Sequence, residues 1–137
     1  MPEYIKEGKN QLVIAFGCTG GKAPDRRPAM GAIAGAYSAK AYLTADDPGT
    51  EAVVDICRQI QESVSAQKCP SVIIEDRVEA IKTAFAEVAS EDIPTIIMIP
   101  GKGNDAYQIV GKAHVPYLTD GYYAKYYMDR YDAGLIK

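Results

Sequence analysis

The feature of this 137-residue chain that most limits its fold is a repeated alternation of short apolar runs with longer stretches of helical spacing. Residues 12–16 are a continuous apolar run ending at Gly17, the pattern of a strand buried on both faces of a parallel sheet. Residues 41–44, 72–74 and 95–99 repeat that pattern. Between them, Val53, Ile56, Cys57, Ile60 and Val64 mark one face of a helix over residues 52–66. Val78, Ile81, Phe85 and Val88 mark another over residues 77–89. Pro28 suits the first position of a helix whose small residues, through Ala39, allow close packing. Residues 106–110 and 113–118, separated by Gly111-Lys112, read as a hairpin, and Thr119-Asp120 caps a last, tyrosine-rich helix. Strands alternating with helices predict an α/β domain. Its sheet is doubly wound, mostly parallel and Rossmann-like, with helices on both faces and a C-terminal hairpin.

The length fits one domain, here residues 11–137, with polar residues 1–10 as a linker remnant or disordered lead-in. A net charge of −3 with both signs interspersed lacks the basic footprint of a nucleic-acid binder. Cys18, Cys57 and Cys69 are odd in number, widely spaced and accompanied by a single histidine, which predicts a reduced, cytoplasmic protein without a metal site. The longest apolar runs fall far short of the ~20 residues of a membrane helix, so neither membrane nor export is expected.

Ligands of doubly wound sheets bind at the carboxyl ends of the strands. Three of the four loops there are rich in glycine and charge. The first, residues 17–28, offers flexible glycines with Lys22, Arg26 and Arg27 beside a helix start, and reads either as an anion site or as a tight solvated turn. It has neither the Walker order of residues nor the Rossmann glycine order. The second, residues 44–49, sets Asp46 and Asp47 on a turn stiffened by Pro48. These carboxylates could hold an ammonium group or, as an Asx turn, cap the following helix. The third, residues 101–105, combines Lys102 and Asp105 between glycines, a pairing suited to a zwitterion.

In order and spacing these loops resemble one family. The chain reads Phe16-Gly17-Cys18-Thr19-Gly20-Gly21-Lys22, then Arg27-Pro28-Ala29-Met30, then Thr44-Ala45-Asp46-Asp47-Pro48-Gly49. Glu75-Asp76-Arg77 and Gly101-Lys102-Gly103-Asn104-Asp105-Ala106-Tyr107-Gln108 follow. This is similar to the C-terminal domain of Mur ligases of the UDP-N-acetylmuramoyl-tripeptide synthetase type, over residues 12–118. That domain carries Phe-Gly-Cys-Gly-Gly-Asp-Arg-Asp, Thr-x-Asp-Asn-Pro-Arg and Gly-Lys-Gly-His-Glu-x-Tyr-Gln. The resemblance implies a peptidoglycan-precursor ligase that activates UDP-N-acetylmuramoyl-L-alanyl-D-glutamate with ATP and Mg2+ as an acyl phosphate, which the amine of an amino acid attacks. In the family the nucleotide and Mg2+ sit mainly on a central domain, and this chain has no phosphate loop. Its partners would then be the N-terminal and central domains, the amino acid and the UDP-muramoyl dipeptide, and the 137 residues alone should be inactive.

Carried over position by position, the substrate-binding residues are Lys22, Asp46, Asp47, Pro48, Gly49, Gly101 and Asp105. Family members that take meso-diaminopimelate hold its distal carboxylate with two arginines, at the positions of Lys22 and Gly49. Glycine cannot replace a guanidinium, and Asp47 stands where the family has Asn, so L-lysine is the expected amino acid. Asn104 and Asp105 replace the family's His and Glu. A stand-alone amino-acid or nucleotide-binding module, or the same domain of a folylpolyglutamate or cyanophycin synthetase, are the alternatives. Asp76-Arg77 reads either as a contributor to nucleotide closure or, the favoured reading, as a structural ion pair opening a helix. His114 reads as a half-buried strand residue and Cys18 as packing. Tyr122, Tyr123, Tyr126, Tyr127 and Tyr131 cover adjacent helical faces, some of which must point outward.

Overall fold

The computed structural model describes residues 10–91 and 93–134, so the lead-in expected over residues 1–10 lies, except for Asn10, outside the described residues. Strands β1 (Gln11–Phe16), β2 (Lys40–Leu43), β3 (Ser71–Ile73) and β4 (Thr95–Met98) form one parallel sheet in the order β3-β2-β1-β4. The helices α1 (Arg26–Tyr37), α2 (Val53–Ala66) and α3 (Arg77–Ala89) connect them. An antiparallel hairpin of β5 (Tyr107–Val110) and β6 (Ala113–Pro116) follows, then α4 (Asp120–Asp132). Helix α1 begins at Arg26, two residues earlier than Pro28 suggested. Proline is tolerated at this third position because first-turn N–H groups lack helical partners anyway.

Side chains of β1 alternate between two cores. Ile14 and Phe16 meet Leu43, Ile56, Ile60 and Val64 on the face covered by α1 and α2. Val13 and Ala15 meet Tyr42 and Ala84 on the face covered by α3. Helices on both faces of a parallel sheet make the domain doubly wound, as the alternation of the sequence requires. The small residues of α1 have a use: a Cβ on Gly31 would stand 2.5 Å from the Ile60 carbonyl oxygen and 2.9 Å from Ser63 Cβ, so α1 lies against the backbone of α2. All three cysteines are free and buried. Burial pushes their thiols up, Cys57 to about 12, and Cys18 Sγ rests 3.7 Å from Met30 Sδ, a packing role.

The hairpin and α4 correct two readings. His114 is exposed on β6 rather than half-buried, with its ring stacked 4.6 Å from that of Tyr107. Arg77 does not pair with Asp76: Asp76 accepts from the Val78 N–H as the helix cap, and Arg77 turns inward to Asp120. On α4, whose Thr119 cap accepts from the Tyr122 N–H, Tyr122, Tyr126 and Tyr131 are exposed while Tyr127 faces Phe85 on α3. Among the described residues no helix is long and apolar enough to cross a membrane.

Because the strands are parallel, their carboxyl ends share one rim. The chain leaves β1 for β2 on one side and returns with β4 on the other, so the strand order reverses at the β1/β4 junction, where such sheets open a crevice. Gly31→Ala should wedge α1 from α2 and cost about 1–3 kcal/mol in urea unfolding. An unchanged midpoint would refute the close-packing account.

Candidate functional site

At that junction lies a cavity of ≈190 Å³ lined by Gly17, Cys18, Thr19, Lys22, Ala23, Arg26, Met30, Asp46 and Gly101. Its walls therefore come from the loops that follow β1, β2 and β4, the three loops that the sequence marks by glycine and charge. The volume corresponds to roughly six water molecules, at about 30 Å³ each, and suits a ligand the size of an amino acid. A larger cavity of ≈330 Å³ between α3, α4 and β4 is mostly apolar and lies away from the strand-end loops. Its charged lining residues among those described, Glu91 and Asp132, are both acidic, so it lacks the paired charges of the strand-end pocket.

Within the pocket Asp46 is buried at 7% exposure, and burial pushes its carboxyl above the usual carboxylate range, opposed by the charges of Arg77 and Lys102. Gly101 crosses close above it. Its φ of +110° is foreign to residues with a side chain, and a Cβ there would stand 2.6 Å from Asp46 Oδ2. Lys22 and Arg26 are exposed at the rim, and neither forms an ion pair among the described residues. One buried carboxylate and two exposed cations thus line the same pocket, charges of the kind a zwitterion's host needs.

The remaining predicted residues, Asp47, Pro48, Gly49 and Asp105, do not line the pocket. Asp47 Oδ1 accepts from Lys102 Nζ at 2.8 Å and from the Ile109 N–H at 2.9 Å. The ammonium group that Asp47 holds is therefore the chain's own, and the Lys102 cation of the third loop is withdrawn from solvent rather than offered to a ligand. Neither Asp46 nor Asp47 caps α2, whose cap Ala52 has no side-chain hydrogen bond. Pro48 is buried. Gly49, at φ +60°, donates to the Ile109 carbonyl at 3.0 Å and accepts from the Gly111 N–H at 2.6 Å, tying the second loop to the hairpin. Asp105 is half-buried, its N–H donating to the Lys102 carbonyl at 2.9 Å.

Sequence reasoning missed the clasp behind the first loop. Arg27, 3% exposed, donates from Nη1 and Nη2 to the two carboxylate oxygens of Glu51 at 2.8 Å each. Nη2 also donates to the Thr19 carbonyl, and Glu51 accepts from the Gly21 N–H at 2.8 Å. The anion that this glycine loop binds is Glu51 itself. Arg26, read only as part of a basic loop, is the pocket residue that the sequence under-weighted.

Residues 3–103 match the family model of the Mur ligase, glutamate ligase domain. The chain belongs to the Mur ligase family. It is 38% identical over 116 residues to the UDP-N-acetylmuramoyl-L-alanyl-D-glutamate--2,6-diaminopimelate ligase of Caldanaerobacter subterraneus subsp. tengcongensis, covering 84% of this chain and 23% of that one. It is 38% identical over 110 residues to the UDP-N-acetylmuramyl-tripeptide synthetase of Lactobacillus delbrueckii subsp. bulgaricus, covering 80% and 21%. A solved UDP-N-acetylmuramoyl-L-alanyl-D-glutamate--2,6-diaminopimelate ligase superposes with a TM-score of 0.75 at 30% identity, covering 88% of this chain and 24% of that one. This Mur ligase domain therefore spans under a quarter of the length of these relatives.

The Glu51 clasp sets a pH dependence. Its hydrogen bonds from Arg27, and then from Gly21, hold the Glu51 carboxyl below the usual carboxylate range. A depressed folded value means stability present above the unfolded value and lost as pH falls through the folded one. Glu51→Gln should lower the Tm at neutral pH, and the gap to the native chain should close as pH falls below about 4. A gap constant with pH would refute the assignment.

Proposed function

We propose that the described domain is the amino-acid-binding part of an ATP-dependent peptidoglycan-precursor ligase that adds a diamino acid to UDP-N-acetylmuramoyl-L-alanyl-D-glutamate through an acyl phosphate. The observation that carries this reading is the pocket at the β1/β4 junction, lined by buried Asp46 and by Lys22 and Arg26. An amino acid's ammonium group pairs with Asp46 and its carboxylate with the rim cations, while Gly101 leaves the floor open. Family membership and the names of the relatives support the ligase assignment.

On this reading residues 11–137 are the C-terminal domain, and residues 1–10 lead in from the rest of the enzyme. The N-terminal and central domains hold the UDP-muramoyl dipeptide, ATP and Mg2+ in the cytoplasm. Residues here contribute no acyl-phosphate chemistry; they bind and orient the nucleophile, which raises its effective concentration at the activated carboxylate.

We favour L-lysine as the amino acid. On the family resemblance, Lys22 and Gly49 stand where a meso-diaminopimelate site has its two arginines, and a glycine supplies no guanidinium fork. Asp46, rather than Asp47, is the carboxylate available to an ammonium group. Arg26 favours a second reading, since its guanidinium in the pocket wall can receive the distal carboxylate of meso-diaminopimelate.

Thermal-shift titration with L-lysine, L-ornithine and meso-diaminopimelate separates these readings. A ligand at 100 times its Kd stabilises the native state by about 2.7 kcal/mol. Stabilisation by L-lysine alone is expected; stabilisation by meso-diaminopimelate assigns the distal carboxylate to Arg26, and silence from all three sinks the reading of the pocket.

Asp46→Asn provides a control with opposite signs. It should abolish the ligand shift yet raise the ligand-free Tm by a few degrees at neutral pH. The native carboxyl titrates above its unfolded value, so burying its charge costs stability as pH rises through that value and nothing in acid. Retained ligand binding in Asp46→Asn would remove Asp46 from the site.

A further inference from the structure

Arg77 opens α3 with its side chain fully withdrawn from solvent, at 0% exposure. Its Nε and Nη2 donate to the two oxygens of Asp120 at 2.8 Å each, the bidentate fork that a carboxylate fits. Nη1 donates to the Ala45 carbonyl at 2.9 Å, and Nη2 also donates to the Pro100 carbonyl at 3.1 Å. Ala45 and Pro100 do not line the pocket, but each immediately precedes a residue that does, Asp46 and Gly101. One rigid, planar group therefore grips the two peptide units that deliver the two sides of the pocket floor.

Its own orientation is over-determined. Asp120 is the first residue of α4 and also accepts from the Tyr117 hydroxyl, so the fork is fixed from the hairpin–α4 junction on its far side. The directions of guanidinium N–H bonds are fixed relative to one another, so Ala45 and Pro100 cannot drift apart without losing a hydrogen bond. Lysine carries the same charge but cannot span both carbonyls and a carboxylate with fixed angles. Neighbouring Lys102 does only half of this task, joining the third loop to Asp47 through a single ion pair.

We propose that Arg77 is a positioning residue for the pocket: by holding the Ala45 and Pro100 carbonyls it sets the separation of the Asp46 carboxylate from the Gly101 backbone, and with it the affinity for the bound amino acid. Only the identity of the ligand rests on the function proposed above. The competing role is a purely structural ion pair, which would stabilise every part of the domain alike.

Three variants of the 137-residue chain separate the two roles. Arg77→Ala strands a buried Asp120 and reports on folding. Arg77→Lys keeps the charge without the fork. Arg77→Met combined with Asp120→Leu removes both charges, so the fold is preserved while the carbonyls lose their holder. Amide hydrogen exchange by NMR reads the loops at Gly20, whose N–H donates to the Asp47 carbonyl, at Ile109, bound to the Asp47 carboxylate, and at Asp105, bound to the Lys102 carbonyl. Val13 and Ile60 report on the core.

In both Arg77→Lys and the double variant, exchange at the three loop amides should accelerate at least tenfold relative to the core, with an at least tenfold weaker Kd for L-lysine. Equal acceleration of loops and core, or loops as protected as in the native chain, overturns the positioning role. If the native chain binds neither L-lysine nor meso-diaminopimelate, the ligand assignment fails, and the exchange ratios alone still decide what Arg77 does.

Discussion

Two fully buried cations tie together the loops that follow β2 and β4. The side chains of Arg77 and Lys102 are both fully withdrawn from water, each neutralised by a carboxylate from a distant part of the chain, Asp120 and Asp47. Desolvating such charges is costly, and removing one partner of a buried pair typically costs about 3–5 kcal/mol because the other is left uncompensated. An apolar filling of the same volume would serve stability as well. What it could not do is fix loop backbones by direction: the fork of Arg77 binds carbonyl and carboxylate oxygens at defined angles, and Lys102 adds a single ion pair to Asp47. The loops contain too few apolar side chains to be held by packing, so polar contacts define their shape.

The pocket is the complement of that arrangement. Of the basic residues that the strand-end loops contribute, Arg27 and Lys102 are consumed internally, while Lys22 and Arg26 form no ion pair among the described residues. Of the acids, Asp47 and Glu51 are consumed, and Asp46 is the one that lines the pocket. Asp46 is buried against its own preference, a strain on the folded state that a bound ammonium group would relieve. This is the usual tension between a binding site and the stability of the domain that carries it. A relative named for 2,6-diaminopimelate and one named only as a tripeptide synthetase are equally similar to this chain, at 38% identity each.

Much of this was legible in the sequence. Apolar runs and helical spacing placed all four parallel strands, the hairpin and four helices within a residue or two, because each signal is local. The three strand-end loops were legible for the same reason, and parallel topology then dictated that they share a rim. What stayed hidden was the assignment of partners. Arg77 finds Asp120 across 43 residues, Lys102 finds Asp47 across 55, and Arg27 finds Glu51 across 24. Charge pairing leaves no periodic trace, so nothing in the order of residues tells a consumed cation from a free one.

That difference explains the particular errors. Arg77 reads as the local partner of Asp76 because adjacent opposite charges at a helix start are a common motif, yet the helix cap needs Asp76 for the Val78 N–H and leaves Arg77 free to turn inward. Asp47 reads as a ligand for a foreign ammonium group, whereas in the structure it accepts from the chain's own Lys102. The cation-rich first loop reads as an anion site or a tight turn, and in the structure Arg27 and the Gly21 N–H are taken by the chain's own Glu51. In each case the residue type disclosed the interaction it makes, and the fold alone decided whether the partner came from within the chain or was left for a ligand to supply.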